Sequence, residues 1–130
     1  AKNGDLIFVS NYIGDADLGL KIKLNSAKKS FLNQQYLLDK HFYPQPRIEL
    51  ANQLVSQNLS ICGTDISDGL IKDLSNICSA SKINARIYLS QIPFSDCAKK
   101  YLQNNPKYHR SFFSDIFPYL VPRLLYWNHV

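Results

Sequence analysis

Ser60-Ile61-Cys62-Gly63-Thr64-Asp65-Ile66-Ser67-Asp68-Gly69-Leu70 is the stretch on which the reading of this chain turns. Its first half has the composition of a strand approaching a turn. Behind it, Leu70, Ile71, Leu74, Ile77 and Cys78 recur at the spacing of a helix with one apolar face. Lys72, Asp73, Ser75 and Asn76 fall on the opposite, wet side. Two carboxylates and a hydroxyl therefore sit at a strand-to-helix corner. The first amides of a helix are unpaired and carry partial positive charge, which favours phosphate. Carboxylates repel phosphate, so an anionic ligand beside Asp65 and Asp68 needs a cation between them. Magnesium supplies one, taking one or two protein carboxylates and filling its other positions with phosphate oxygens and water. Gly69 permits close approach of the backbone. The plain structural alternative is a helix cap from Ser67 or Asp68, contributing about 1 kcal/mol, with Asp65 a solvated turn residue.

Downstream of this corner, Ile83, Ala85, Ile87 and Leu89 alternate with Asn84, Arg86 and Tyr88, the period of a half-buried strand. Pro93 closes it, and Phe94 to Leu102 reads as another helix. From Pro106 the composition shifts to aromatics, with Pro118 and Pro122 breaking any long element. Upstream, the pattern predicts a helix from about Ile48, with Leu50, Ala51, Leu54 and Val55 on one face. Asn58-Leu59-Ser60 ends it. Tyr43-Pro44-Gln45-Pro46-Arg47 separates it from a helix carrying Phe31, Leu32, Gln35, Tyr36 and Leu38. Gly14-Asp15-Ala16-Asp17, followed by Leu18, Leu20, Ile22 and Leu24, suits a helix with an acidic first turn, although the alternation at its end also allows a strand. Leu6-Ile7-Phe8-Val9 reads as a buried strand after the Gly4-Asp5 turn pair.

The totals bound the function. The chain of 130 residues is 45% hydrophobic, enough for one domain with a real core. Its formal charge of +5 comes from scattered residues, with Lys28-Lys29 and Lys99-Lys100 the only basic pairs. Nucleic-acid binding is not expected from so diffuse a pattern. Cys62, Cys78 and Cys97 are odd in number and form no CxxC pair, so reduced thiols and a cytoplasmic setting are expected. His41, His109 and His129 lack metal-ligand spacing. No apolar run reaches the length of a membrane helix. The chain opens Ala1-Lys2-Asn3-Gly4-Asp5 and holds no methionine, which suggests an excised piece without a signal peptide.

Four blocks, in order, resemble the thiamine-monophosphate kinases of the aminoimidazole-ribonucleotide-synthetase-like superfamily. They are Gly4 to Ser10 with Gly14-Asp15 and Gly19-Leu20, His41 through Pro44-Gln45-Pro46-Arg47-Ile48, Asp65 to Leu70 with Asp73-Leu74, and Ala85-Arg86-Ile87 with Ile92-Pro93-Phe94-Ser95. The resemblance implies an α+β fold, the C-terminal domain of that superfamily, with helices packed on a sheet and the domain incomplete. It implies transfer of the terminal phosphate of ATP to thiamine monophosphate, giving thiamine diphosphate, with Mg2+ as cofactor and ATP as co-substrate. By position, Asp65 and Asp68 resemble magnesium ligands and Ser67 a nucleotide-contacting residue. No general base or covalent nucleophile is expected, because phosphoryl transfer is catalysed mostly by positioning and charge neutralisation.

The departures shape the remaining expectations. The family's N-terminal domain carries most of its metal-binding aspartates and a glycine-glycine-aspartate nucleotide loop, which have no counterpart here. Tyr108 to Asp115 stands where the family has a glycine-rich acidic segment, and the residues after Asp115 match nothing in it. Residues 1–105 are therefore read as a partial kinase-type domain and 106–130 as a divergent aromatic tail, such as a frameshift would leave. The chain is expected to carry part of a Mg–ATP site, to be inactive alone, and to need a separate N-terminal domain or a homodimer partner. The alternative is a non-catalytic remnant or interaction module using the aromatic tail.

Overall fold

The computed structural model describes residues 1–24, 33–59 and 62–106. Five α-helices are described there: α1 Asp15–Leu24, α2 Gln34–Phe42, α3 Ile48–Ser56, α4 Leu70–Ser81 and α5 Asp96–Asn104. A single 3-10 turn, Leu89–Gln91, lies between the last two. The readings that fall on Phe31, Leu32, Ser60, Ile61 and the aromatic tail from residue 107 lie outside the described residues.

Local chemistry explains the helix ends. Gly14, at φ 88°, turns the chain into α1, and its carbonyl accepts the Leu18 amide at 3.0 Å. Asp15 and Asp17 occupy the first turn of α1 and Lys21 and Lys23 the last, complementing the helix dipole at both ends. The helical alternative for this segment is the one realised. Ser95 caps α5, its hydroxyl accepting the Ala98 amide at 3.0 Å. Lys82 ends α4 in the left-handed region, its amide reaching the Cys78 and Ser79 carbonyls. Pro44 and Pro46 lie between α2 and α3, as proline chemistry requires.

The core is built where α1, α2 and α5 pack together. Leu18 and Leu37 are fully buried, each contributing about 1.5–3 kcal/mol by leaving water. Ile13, Ile22, Leu70, Ile92, Ala98, Tyr101 and Leu102 complete the cluster, so α4 joins it through its first residue. Gly19 sets the α1–α2 distance. A methyl group there would overlie the Leu37 carbonyl oxygen and lie 2.9 Å from His41 Cβ.

Asp15 is buried at the centre of this arrangement. Its Oδ1 accepts the Ser95 hydroxyl at 2.6 Å and its Oδ2 the Tyr36 hydroxyl at 3.0 Å. The Ile13 amide donates to the Pro93 carbonyl at 2.9 Å alongside. One carboxylate thereby joins the start of α1, the body of α2 and the cap of α5. Burial, together with donation to this carboxylate and its negative charge, pushes the Tyr36 phenol up from 10.0 to about 12.

The C-terminal-domain expectation is met in part: no strand occurs among the described residues. Leu6, Ile7 and Phe8 are exposed, although Val9 packs against the core. Residues 83–87 keep the predicted alternation, with Ile83, Ala85 and Ile87 half-buried and Asn84 and Arg86 exposed. A strand also needs a ladder partner, and sequence period alone does not supply one. One expectation is corrected: Asp73, expected on the wet face of α4, is buried.

The core generates two expected outcomes. Gly19→Ala forces α1 away from the α2 backbone and is expected to destabilise the chain by about 3 kcal/mol, the upper part of the overpacking range, in denaturant unfolding. The Tyr36 shift has a definite sign. Above pH 10 the unfolded phenol loses its proton while the folded one keeps it, so this contribution is complete below pH 10 and disappears by about pH 12. Tyr36→Phe should remove that decline when the two proteins' stabilities are compared between pH 9 and 12. It should also remove one phenol that ionises near pH 12 from an ultraviolet titration.

Candidate functional site

The loop before α4 is held from inside. Asp73, in the first turn of α4, turns its Oδ2 back to accept the Ser67 amide at 3.0 Å and the Asp68 amide at 3.1 Å. A charged acceptor serving two amides is stronger than a neutral one. The N-cap itself is Gly69, at φ 120° and ψ 147°, a conformation that a Cβ makes costly. The N-cap position thus falls on a residue with no side chain, rather than on Ser67 or Asp68. The Ser67 and Asp68 amides, which a phosphate would otherwise attract, are already taken by Asp73.

The side chains of the loop point elsewhere. Asp65, Ser67 and Asp68 are all exposed. Asp65 Oδ1 lies 3.5 Å from the Thr64 hydroxyl, at the outer limit of a hydrogen bond. Asp68 Oδ2 accepts from Lys72 Nζ at 2.6 Å, an ion pair across one turn. Lys72, on the wet side of the helix by its spacing, thus rests its ammonium on the loop. A Cβ added at Gly63 would meet no neighbour within 4 Å.

This donor set can be tested against magnesium chemistry. Two exposed carboxylates on a braced loop suit an ion that keeps most of its shell as water and phosphate oxygens. They do not form an all-protein cage. No group of three or more His, Cys, Asp or Glu able to hold a metal occurs among the described residues. The three cysteines are free thiols, and burial pushes the Cys78 thiol up, with Cys62 a smaller influence.

Residues 2–112 match the family described as AIR synthase related protein, C-terminal domain. The chain belongs to that family. It is 41% identical over 99 residues to the thiamine-monophosphate kinase of Buchnera aphidicola subsp. Schizaphis graminum, covering 73% of this chain and 29% of that protein. Against the thiamine-monophosphate kinase of Escherichia coli K12 it is 38% identical over 104 residues, covering 79% of this chain and 31% of that one. The solved structure of AaThiL complexed with AMPPCP and TMP superposes with a TM-score of 0.73 at 28% identity, over 81% of this chain and 33% of that one. The chain thus spans about a third of the length of these relatives. The resemblance read from the four sequence blocks is borne out, as is the C-terminal-domain assignment. No described helix is long and apolar enough to cross a membrane.

Sequence reasoning missed two features. Ser95 followed by an acidic first turn was a legible cap signal. Asp73 carried no such signal, because helical spacing put it beside polar neighbours.

Asp73→Ala should release both loop amides. The expected cost is about 2–3 kcal/mol, for a charged acceptor lost from a buried position. Hydrogen exchange supplies a local check: the Ser67 and Asp68 amides should be protected in the wild type and exchange freely in the variant.

Proposed function

We propose that this chain carries the C-terminal-domain share of a Mg–ATP site in a thiamine-phosphate kinase. The reaction is transfer of the ATP terminal phosphate to thiamine monophosphate, giving thiamine diphosphate. The observation that carries this reading is the exposed Asp65–Asp68 loop, braced by Asp73, in a chain 41% identical to a thiamine-monophosphate kinase. The neighbour complexed with AMPPCP, a non-hydrolysable triphosphate, and TMP, read as thiamine monophosphate, supports both substrates.

Asp65 and Asp68 would hold the magnesium ion, and Ser67 would contact the nucleotide. When bound, magnesium neutralises charge on the phosphates during transfer. The chain's own residues do the positioning. Asp73 fixes the loop backbone, Gly69 gives it its turn, and the Leu70 anchor ties the corner to the core. No side chain here is assigned as base or nucleophile.

A chain spanning about a third of its relatives leaves the rest of the site to other residues. A separate N-terminal domain or a second copy would supply them, in the cytoplasm, where free thiols persist. We also propose the division into a kinase-type unit of residues 1–105 and a tail of 106–130. The end of α5 at Asn104 supports that boundary. The second reading, a non-catalytic interaction module, draws on apolar side chains left in solvent, among them Phe8 at 84% and Leu6 at 79% exposure.

Calorimetry separates the two. The purified chain should bind AMPPCP weakly, with a dissociation constant of about 1 mM, and only with magnesium present. Asp65→Asn and Asp68→Asn should each weaken this about tenfold or more. No thiamine diphosphate should form from ATP and thiamine monophosphate with this chain alone, and turnover would overturn the partial-site reading. Absence of any heat at millimolar nucleotide, with concentration-dependent self-association, would favour the interaction module.

A further inference from the structure

The ion pairs Lys21–Asp17 and Lys99–Asp96 lie wholly within α1 and α5. Lys72–Asp68 differs in that its acid belongs to the candidate site. Lys72 sits in the first turn of α4, where the helix dipole disfavours a cation. Its ammonium is nevertheless 2.6 Å from Asp68 Oδ2. The contact leaves both groups accessible, with side-chain exposures of 44% for the lysine and 58% for the aspartate. A pair so exposed adds little to folding. Its larger effect falls on whatever else seeks that carboxylate.

We infer that Lys72 is a resident competitor for the cation-binding carboxylate Asp68, so that a divalent ion gains Asp68 only as the Lys72–Asp68 pair is given up. The inference rests on the reading of Asp65 and Asp68 as the magnesium ligands. Two effects act in the same direction. The ammonium occupies an acceptor oxygen that the ion needs. Wherever the lysine moves on its flexible stem, it keeps a like charge near the incoming cation. The backbone of the loop is held independently by Asp73, so loss of the lysine charge leaves the carboxylates presented as before. Lys72 therefore lowers the affinity of the empty loop for free magnesium and moves half-occupancy to a higher concentration. Because the pair is exposed, the penalty is subject to salt screening.

Magnesium titration of the full 130-residue chain, followed by calorimetry and by loop amide shifts in nuclear magnetic resonance, tests this. The variants are Lys72→Gln, Lys72→Arg and Asp68→Asn. Lys72→Gln should bind free magnesium about three- to tenfold more tightly than wild type, the scale of one exposed ion pair and its residual repulsion. Lys72→Arg, which keeps the charge, should stay within about twofold of wild type. Asp68→Asn should lose most of the binding, and the gap between Lys72→Gln and wild type should narrow as monovalent salt rises. If Asp68→Asn abolishes binding while Lys72→Gln leaves it unchanged or weaker, the competition is overturned and the metal-ligand reading stands. If Asp68→Asn binds as wild type does, or no variant binds magnesium, the metal-ligand reading fails and this inference fails with it. Amide shifts outside residues 62–73 in Lys72→Gln would reveal a structural cause in place of competition.

Discussion

A carboxylate taken out of water must find donors or destabilise the fold, and Asp15 finds two. Ser95 and Tyr36 reach its two oxygens from different helices, with a separation of 80 residues along the chain in the first case. The requirement works in both directions. Asp15 is tolerable only when α2 and the start of α5 are in place. Ser95 caps α5 from the orientation that the same contact fixes. The apolar cluster supplies the driving force, but it is non-directional. The buried acid selects one mutual arrangement of α1, α2 and α5, which in turn gives Leu70 a fixed surface on which to seat the α4 corner.

Four of the chain's aspartates, Asp15, Asp65, Asp68 and Asp73, divide by burial. Asp15 and Asp73 are buried, and both oxygens of the first and Oδ2 of the second accept from protein donors. Asp65 and Asp68 are exposed. A metal that keeps water and phosphate in its shell has no use for acids already consumed internally, and it needs acids whose backbone does not drift. Asp73 meets the second need by holding the amides of Ser67 and Asp68 while leaving their side chains outside. One acid thus keeps another presentable, an arrangement common to sites whose ligands are oriented by a supporting shell.

The parts of this molecule legible in the sequence were those with a local cause. The apolar period of Leu70, Ile71, Leu74, Ile77 and Cys78 became α4, and the prolines between Tyr43 and Arg47 became the break between α2 and α3. The strand reading of residues 83–89 was met only in part. The alternating burial of Ile83, Ala85 and Ile87 is present, because it depends only on side-chain chemistry against a surface. No ladder occurs among the described residues, and a ladder depends on a partner segment that no local pattern specifies. Asp73 was misread for the opposite reason. Its position on the helix wheel was right, but a polar loop folded back over that face, and a carboxylate meeting two amides is as well satisfied as one meeting water. Asp15 could be read as an acid in the first turn of a helix, whereas its role in joining three helices required contacts that local sequence does not encode.

The electrostatics of the loop also explain why the charge of the whole chain is a poor guide to its ligand. A net charge of +5 suggests an anion, and an acidic loop suggests a cation. Screening limits each suggestion to its own range, since exposed charges beyond about 8–10 Å contribute little at ordinary salt. What an incoming ligand meets at the α4 corner is therefore set by Asp65, Asp68 and Lys72 and by the dipole of the helix behind them, far more than by the scattered lysines elsewhere. Asp65, Asp68 and the buried Asp73 together outweigh Lys72 and the positive helix end, so the corner is locally acidic although the chain as a whole is basic. The local sign, and not the total, is what a ligand at this corner meets.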